Sequence, residues 1–186
     1  MSDRSDEDLM LAYAEGDELA FRELFARYAP MLLRVLHRHV VRPADAQDLV
    51  QQTFLQVHRA RRDFRRGPLL RPWILTIALN LARDLARRRG RRPEAILDET
   101  ALPVSVAIQP VVDTTNPEDE RVRAALRELP HDQRIVIELH WFDELSFDEI
   151  AAVVGASSGA ARARAHRGYE RLRKSLDGAR VKSARA

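Results

Sequence analysis

The chain has 186 residues, enough for one domain or two small ones, with 45% apolar and 32% charged residues and a net charge of only +3. The absence of cysteine excludes disulfides, thiol catalysis and cysteine-ligated zinc. No apolar run approaches the ~20 residues of a membrane span, and the acidic start MSDRSDEDL is no signal sequence, so a cytoplasmic protein with no membrane insertion is expected. The small net charge hides an uneven distribution. Residues 1–28 sum to −5, 29–58 to +1, 59–92 to +10, 94–150 to −10 and 158–186 to +7. Two basic blocks around an acidic one point to two nucleic-acid contacts on one chain.

Ser5 is placed to cap a first helix that Gly16 ends. Asp17 caps a second, with Ala20, Phe21, Leu24, Phe25 and Tyr28 on its buried side, and Pro30 is expected to break it. A third segment, Met31–Val41, turns Leu32, Val35, Leu36 and Val40 inward. These three read as bundle core. Pro43 suits the first turn of a helix running to about Arg61. At 3.6 residues per turn, Ala46, Leu49, Val50, Thr53, Phe54 and Val57 share its buried face. Asp45, Asp48, Gln51, Gln52, Leu55, Gln56 and Arg59 lie opposite. That second face is either solvated surface with one stray leucine or a docking patch centred on Leu55.

The loop Arg61–Arg71 is broken at Gly67-Pro68 and carries Phe64 and Leu70 in a basic stretch. The next helix, Pro72 to about Arg89, is expected to bury Ile74, Ile77, Ala78, Leu81 and Leu85. Trp73, Thr76, Asn80, Arg83 and Arg87 line its other side. Residues 59–92 hold twelve Arg and two Asp, a block that repels itself unless a polyanion is near. An indole, an amide and guanidiniums in one stripe can stack bases, bond base edges and hold phosphates, as single-stranded nucleic acid requires. The alternative is a Trp73 folded into the core beside ordinary surface arginines. His140, next to Trp141, reads as a packing residue.

From Arg88 to about Thr115 there is no helical or strand period, which marks a linker. Asn116-Pro117-Glu118-Asp119 is a strong helix start, followed by inward Val122, Ala125, Leu126 and Leu129. Pro130 begins the next helix, with Ile135, Val136 and Leu139 buried. Ser146 and Glu149 form a capping box, Gly155 ends that short helix, and Ser157 caps a longer one to about Leu176. A short helix, a turn containing Gly and a long basic helix make the helix-turn-helix signature. On the last helix Ala161, Ala165, Gly168, Leu172 and Leu176 point inward. Arg164, Arg167 and Arg171 point outward with Arg162 on the flank, placed for major-groove guanines or phosphates.

Two long stretches resemble one family. DAQDLVQQTFLQVHRARRDF followed by RPWILTIALNLARDLARRR resembles region 2 of sigma-70-type transcription initiation factors, in particular the short extracytoplasmic-function (ECF) group. The family pattern there is roughly DAEDLVQETFL, then F, then W-L-x-x-I-A-R-N-x-x-x-D-x-x-R-R. ALRELPHDQRIVIELHWFDELSFDEIAAVVGASSGAARARAHRGYERLRKSL resembles sigma region 4. The resemblance implies an all-α protein of two small helical domains: region 2 at 1–92, an extended linker at 93–115, region 4 at 116–177 and a basic tail at 178–186. It implies binding of core RNA polymerase through Asp45, Asp48, Gln51, Gln52 and Leu55. Recognition and melting of the minus-ten element, including capture of a flipped base, would fall to Phe64, Arg65, Arg71, Trp73, Thr76, Asn80, Arg83 and Arg87. Minus-thirty-five duplex contacts would come from Ser158, Arg162, Arg164, Arg167 and Arg171. The implied partners are core RNA polymerase, promoter DNA and an anti-sigma factor. No enzyme activity, cofactor or metal is expected.

The sequence departs from the family pattern at several positions. Gln47 and Gln52 replace carboxylates, which weakens steering toward polymerase. Leu79 stands where Arg is usual and is expected to remove a contact near the melted strand. Ala160 replaces Thr. Ala161 and Ala165 replace Val and Leu, at a typical cost of ~2–5 kcal/mol per site unless the helices close in. Two other readings stay open: a stand-alone helix-turn-helix regulator, which leaves Trp73–Asn80 unused, and a decoy that binds polymerase or an anti-sigma factor without promoter activity.

Overall fold

The computed structural model describes residues 4–40, 42–65, 67, 69–90 and 117–183; the expected linker at 93–115 lies outside them. Among the described residues the chain is all-helical. The helices α1 (Asp6–Ala14), α2 (Glu18–His39), α3 (Pro43–Ala60) and α4 (Leu70–Gly90) form one compact unit. A second holds α5 (Pro117–Glu128), α6 (His131–Trp141), α7 (Phe147–Val154) and α8 (Ser158–Ser183).

In the first unit the helix starts follow the sequence signals. The Ser5 hydroxyl accepts from Asp8 N–H at 3.1 Å, and Asp17 accepts from Leu19 and Ala20 N–H. The Ala20 amide, helped by Arg4, holds the Asp17 carboxyl below its usual range. Pro43 is the first residue of α3. Leu9, Met10, Leu24, Leu32, Leu36, Leu70, Ile74 and Leu75 form the fully buried centre.

Pro30 does not break α2, which runs unbroken through it. An internal proline costs about 3 kcal/mol in lost bonding and ring clash. Here Tyr28, Ala29, Met31, Leu32 and Leu33 are all buried around it, and that packing offsets the cost. The buried stripe of α4 is also rotated from the one expected. Ile74, Leu75, Ala78, Leu79 and Ala82 are buried, while Ile77, Leu81 and Leu85 are half-buried, because α4 packs against α1, α2 and α3 together. Leu79 therefore faces the core. Two expected core residues, Phe25 and Val122, are exposed at 40% and 38%.

Polar bonds tie α1 into this unit. Asp6 accepts from Arg27 and from Tyr28, both at 2.6 Å. Burial pushes the Tyr28 phenol well above its usual value, and the Asp6 carboxylate adds to the effect. Tyr13 and His58 share a hydrogen bond of 2.5 Å. The Glu7 carboxylate accepts from Leu70 N–H at 2.9 Å, so α1 caps α4 from 63 residues away.

In the second unit the Ser146–Glu149 capping box is present, and Gly155 closes α7 in the left-handed region at φ 65. Ser157 accepts from Ala160 N–H at 3.2 Å. Leu126, Leu129 and Ile137 pack with Tyr169 and Leu172. Ala161 and Ala165 are fully buried, and α8 approaches α6 so closely that a Cβ on Gly168 would stand 2.5 Å from Ile137 Cδ1. The helices have closed in around the small residues. α8 continues to Ser183, past the expected end near Leu176 and into the segment expected as a basic tail.

Candidate polymerase and nucleic-acid interfaces

On α3 the structure leaves Asp48, Gln51, Gln52 and Leu55 exposed on one side, with Leu55 at 47%. Phe25 of α2 lies against the buried Phe54 of α3, at 4.6 Å between ring centroids.

Asp45 does not belong to that face: it is 4% exposed. Its carboxylate accepts two bonds from the Arg89 guanidinium, one of them at 2.8 Å, and a third from Arg42 at 3.2 Å. The Arg89 hydrogen bonds, with the one from Arg42, hold the carboxyl below its usual range, against the opposing effect of burial. The helical wheel placed Asp45 outward because it ignores where α4 lies. Beside this cluster an open cleft of about 180 Å³ between α3 and α4 is lined by Leu49, Leu81 and Leu85 together with Asp48, Asp84 and Arg88.

α4 carries the aromatic and basic stripe. Trp73 is partly buried against Phe64, with ring centroids 5.3 Å apart, and Phe64 itself is 5% exposed. Trp73 is thus neither folded into the core nor fully exposed: it packs on the buried Phe64 and keeps part of its surface open. The Thr76 hydroxyl donates back to the Pro72 carbonyl at 2.8 Å. Asn80 and Arg83 are exposed and bonded to each other at 2.6 Å. Arg87 pairs with Asp84 at 2.9 Å, Arg65 is exposed, and Arg71 is half-buried. The stripe thus presents one indole face, one amide and several guanidiniums along about four turns of helix.

On α8, Arg167 and Arg171 are exposed. Arg162 lies over the Phe147 ring, 5.7 Å from its centroid. Arg164 is turned partly toward α6, 3.8 Å from Asp132, and the Ser158 hydroxyl bonds to Asp148 of α7. The outward basic row is therefore narrower than the sequence suggested, with Arg164 beside a carboxylate and Arg162 over a ring. His140 is a packing residue: Nδ1 bonds to the Leu145 carbonyl at 2.8 Å and the ring stacks on Phe147. Trp141 is 68% exposed and donates its indole N–H to Tyr169 at 2.7 Å.

Comparison with known proteins bears on both units. The family description Sigma-70 region 2 matches residues 24–92, and Sigma-70, region 4 matches residues 119–172. The chain is 42% identical over 179 residues to the RNA polymerase sigma factor CarQ of Myxococcus xanthus, covering 95% of this chain and all of the relative. The chain belongs to the ECF group of the sigma-70 family. Among solved structures it is similar to CnrH in complex with the cytosolic domain of CnrY. The TM-score is 0.71 and the identity 30%, with 93% of this chain and 97% of that one covered. The fold is also that of the sigma factor RpoE of Bartonella quintana, solved with the anti-sigma factor NepR, at TM-score 0.64 and 24% identity over 84% of this chain and 96% of that one. As an ECF sigma factor the chain works with RNA polymerase in transcription initiation. Its region 2 match takes in α3, α4 and the loop between them, and its region 4 match takes in the helix-turn-helix; α1 lies before both. Among the described residues no helix is long and apolar enough to cross a membrane.

Proposed function

We propose that this sigma factor docks on core RNA polymerase through the α3 face of Asp48, Gln51, Gln52 and Leu55 and opens promoters through α4. One observation carries the reading: a single compact unit holds an exposed polar face with Leu55 on one helix and the Trp73–Arg87 stripe on the next. Trp73, packed on Phe64, with Arg65 of the preceding loop and Arg71 of the first turn of α4, receives a base flipped from the minus-ten element. Thr76, Asn80, Arg83 and Arg87 follow the melted strand. In the second unit α8 enters the minus-thirty-five major groove with Arg162, Arg167 and Arg171 foremost, and with Arg164 and Ser158 recruited from their carboxylate partners. The segment 93–115 joins the two promoter-binding units. The factor acts in the cytoplasm, and polymerase supplies all the chemistry. An anti-sigma protein covers the same surfaces; the complex of the similar CnrH with the cytosolic domain of CnrY supports a partner of this kind.

The test is transcription by purified core polymerase on a library of promoter-like duplexes, with and without the protein. Specific initiation that depends on the protein is expected. Trp73→Ala with Asn80→Ala should abolish opening while leaving duplex binding largely intact. Polymerase binding without initiation would assign the chain to the decoys, and DNA binding without polymerase binding would make it a stand-alone regulator.

A further inference from the structure

Asp45 is the one residue of the expected docking set that the fold takes out of solvent, and its partner is the residue that ends the basic run of α4. Apolar burial between α3 and α4 is non-directional. The buried stripe of α4 includes Ala78 and Ala82, whose small side chains leave that part of the helix surface smooth. Such a face holds a helix close but fixes its rotation and axial register weakly. A guanidinium on a carboxylate through two parallel N–H donors does fix them, because the fork has one good geometry. Arg89 lies two residues beyond Arg87, at the end of the strand-reading stripe. Asp45 lies one turn before Asp48, at the start of the docking face. Arg42 bonds to the same carboxylate and holds it from the α3 side. The other end of α4 is fixed separately, by Glu7 on Leu70 N–H.

We propose that Asp45 is a positioning residue: by gripping Arg89 it sets the rotation of the strand-reading helix α4 relative to the polymerase-docking helix α3, and so couples docking to promoter opening. The proposal rests on the docking and opening roles given above. It assigns Asp45 no contact with polymerase. It also takes Arg89, one of the twelve arginines of residues 59–92, out of the basic block left to meet DNA.

The experiment is a double-mutant cycle in the full chain with Asp45→Asn, Arg89→Ala and the pair together. Amide hydrogen exchange is read over residues 84–89, and transcription is read as two quantities: affinity for core polymerase, and open complexes formed per bound polymerase. Each single variant should exchange faster at residues 84–89 with α1 and α2 unchanged. Each should bind core as wild type does and open promoters about five- to tenfold less well, the low end of coupling between two sites. The double variant should be no worse than either single. Unchanged exchange at residues 84–89 would overturn the brace. A loss confined to core affinity would make Asp45 a docking contact. An additive double variant would return Arg89 to the DNA, and faster exchange with normal opening would overturn the coupling. If the wild-type protein supports no initiation, the functional reading fails, while the exchange cycle still decides whether the brace exists.

Discussion

Replacing Gly168 by alanine sets helix propensity against packing in one substitution. In an open helix interior the change stabilises by about 1 kcal/mol, since alanine loses less chain freedom on folding. At Gly168 the new Cβ would stand 2.5 Å from Ile137 Cδ1 and 3.4 Å from Gln133 Cβ. Ile137 is 3% exposed and packed with Leu126, Leu129, Tyr169 and Leu172, so its end methyl turns away only by displacing neighbours. Overpacking of this kind costs about 1–3 kcal/mol. The packing cost outweighs the propensity gain, and Gly168→Ala is expected to destabilise the α5–α8 unit by about 1 kcal/mol. Gly159, on the same helix, has open space where its Cβ would go, so Gly159→Ala should be neutral or slightly stabilising. Ile137→Val deletes Cδ1, and on that background Gly168→Ala should change sign and stabilise. The assay is urea unfolding followed by fluorescence in a Trp73→Phe background. That leaves Trp141, bonded to Tyr169, as the only indole of the chain. If Gly168→Ala stabilises the protein with Ile137 intact, close approach of α6 and α8 is not what the glycine provides.

Three further outcomes are expected. Glu7→Ala leaves Leu70 N–H without its carboxylate; like the loss of a helix cap it should cost about 1 kcal/mol, and exchange should quicken in the first turn of α4. Leu55→Arg should change stability by less than about 0.5 kcal/mol, because the side chain is already exposed. Its affinity for core polymerase should nevertheless fall about tenfold or more, as measured by fluorescence anisotropy. The third outcome concerns acid. The folded-state value of Asp45 is depressed, so its contribution to stability is complete above the ordinary carboxyl range and is lost as pH falls through the folded value. Asp45→Asn should therefore flatten the acid side of a plot of urea midpoint against pH and leave the neutral side parallel to wild type.

Local signals were legible in the sequence. Ser5, Asp17, Pro43, Ser146 and Gly155 mark helix ends through bonds and torsions that span a few residues, and the structure places the ends there. The helix-turn-helix and the inward row of α8 followed from spacing alone. The failures share one cause, which is the position of a neighbouring helix. Pro30 continues a helix because residues on both sides of it are buried by tertiary packing. The α4 stripe is wider than its period suggests because three helices cover it, and that width takes Leu79 inside. Asp45 is inward because Arg89 approaches it from across the unit, 44 residues on. Ser158 and Arg164 looked free for DNA until Asp148 and Asp132 were placed beside them. The site residues identified correctly as exposed were those whose exposure depends on their own helix alone.

The span of the bonds that close the first unit has a consequence for its synthesis. Glu7 waits for Leu70, Tyr13 for His58 and Asp45 for Arg89, across 63, 45 and 44 residues. Such pairings have high contact order and form late, because a long loop must close before any of them is made. A nascent chain that has emerged only as far as α3 already holds the polar face around Leu55, but the apolar side holding Leu49 still lacks α4, and α1 has nothing to cap. That intermediate is exposed to aggregation and proteolysis. The Glu7–Leu70 and Asp45–Arg89 contacts therefore wait for residues 70–89, and the unit is closed only when α4 has been made.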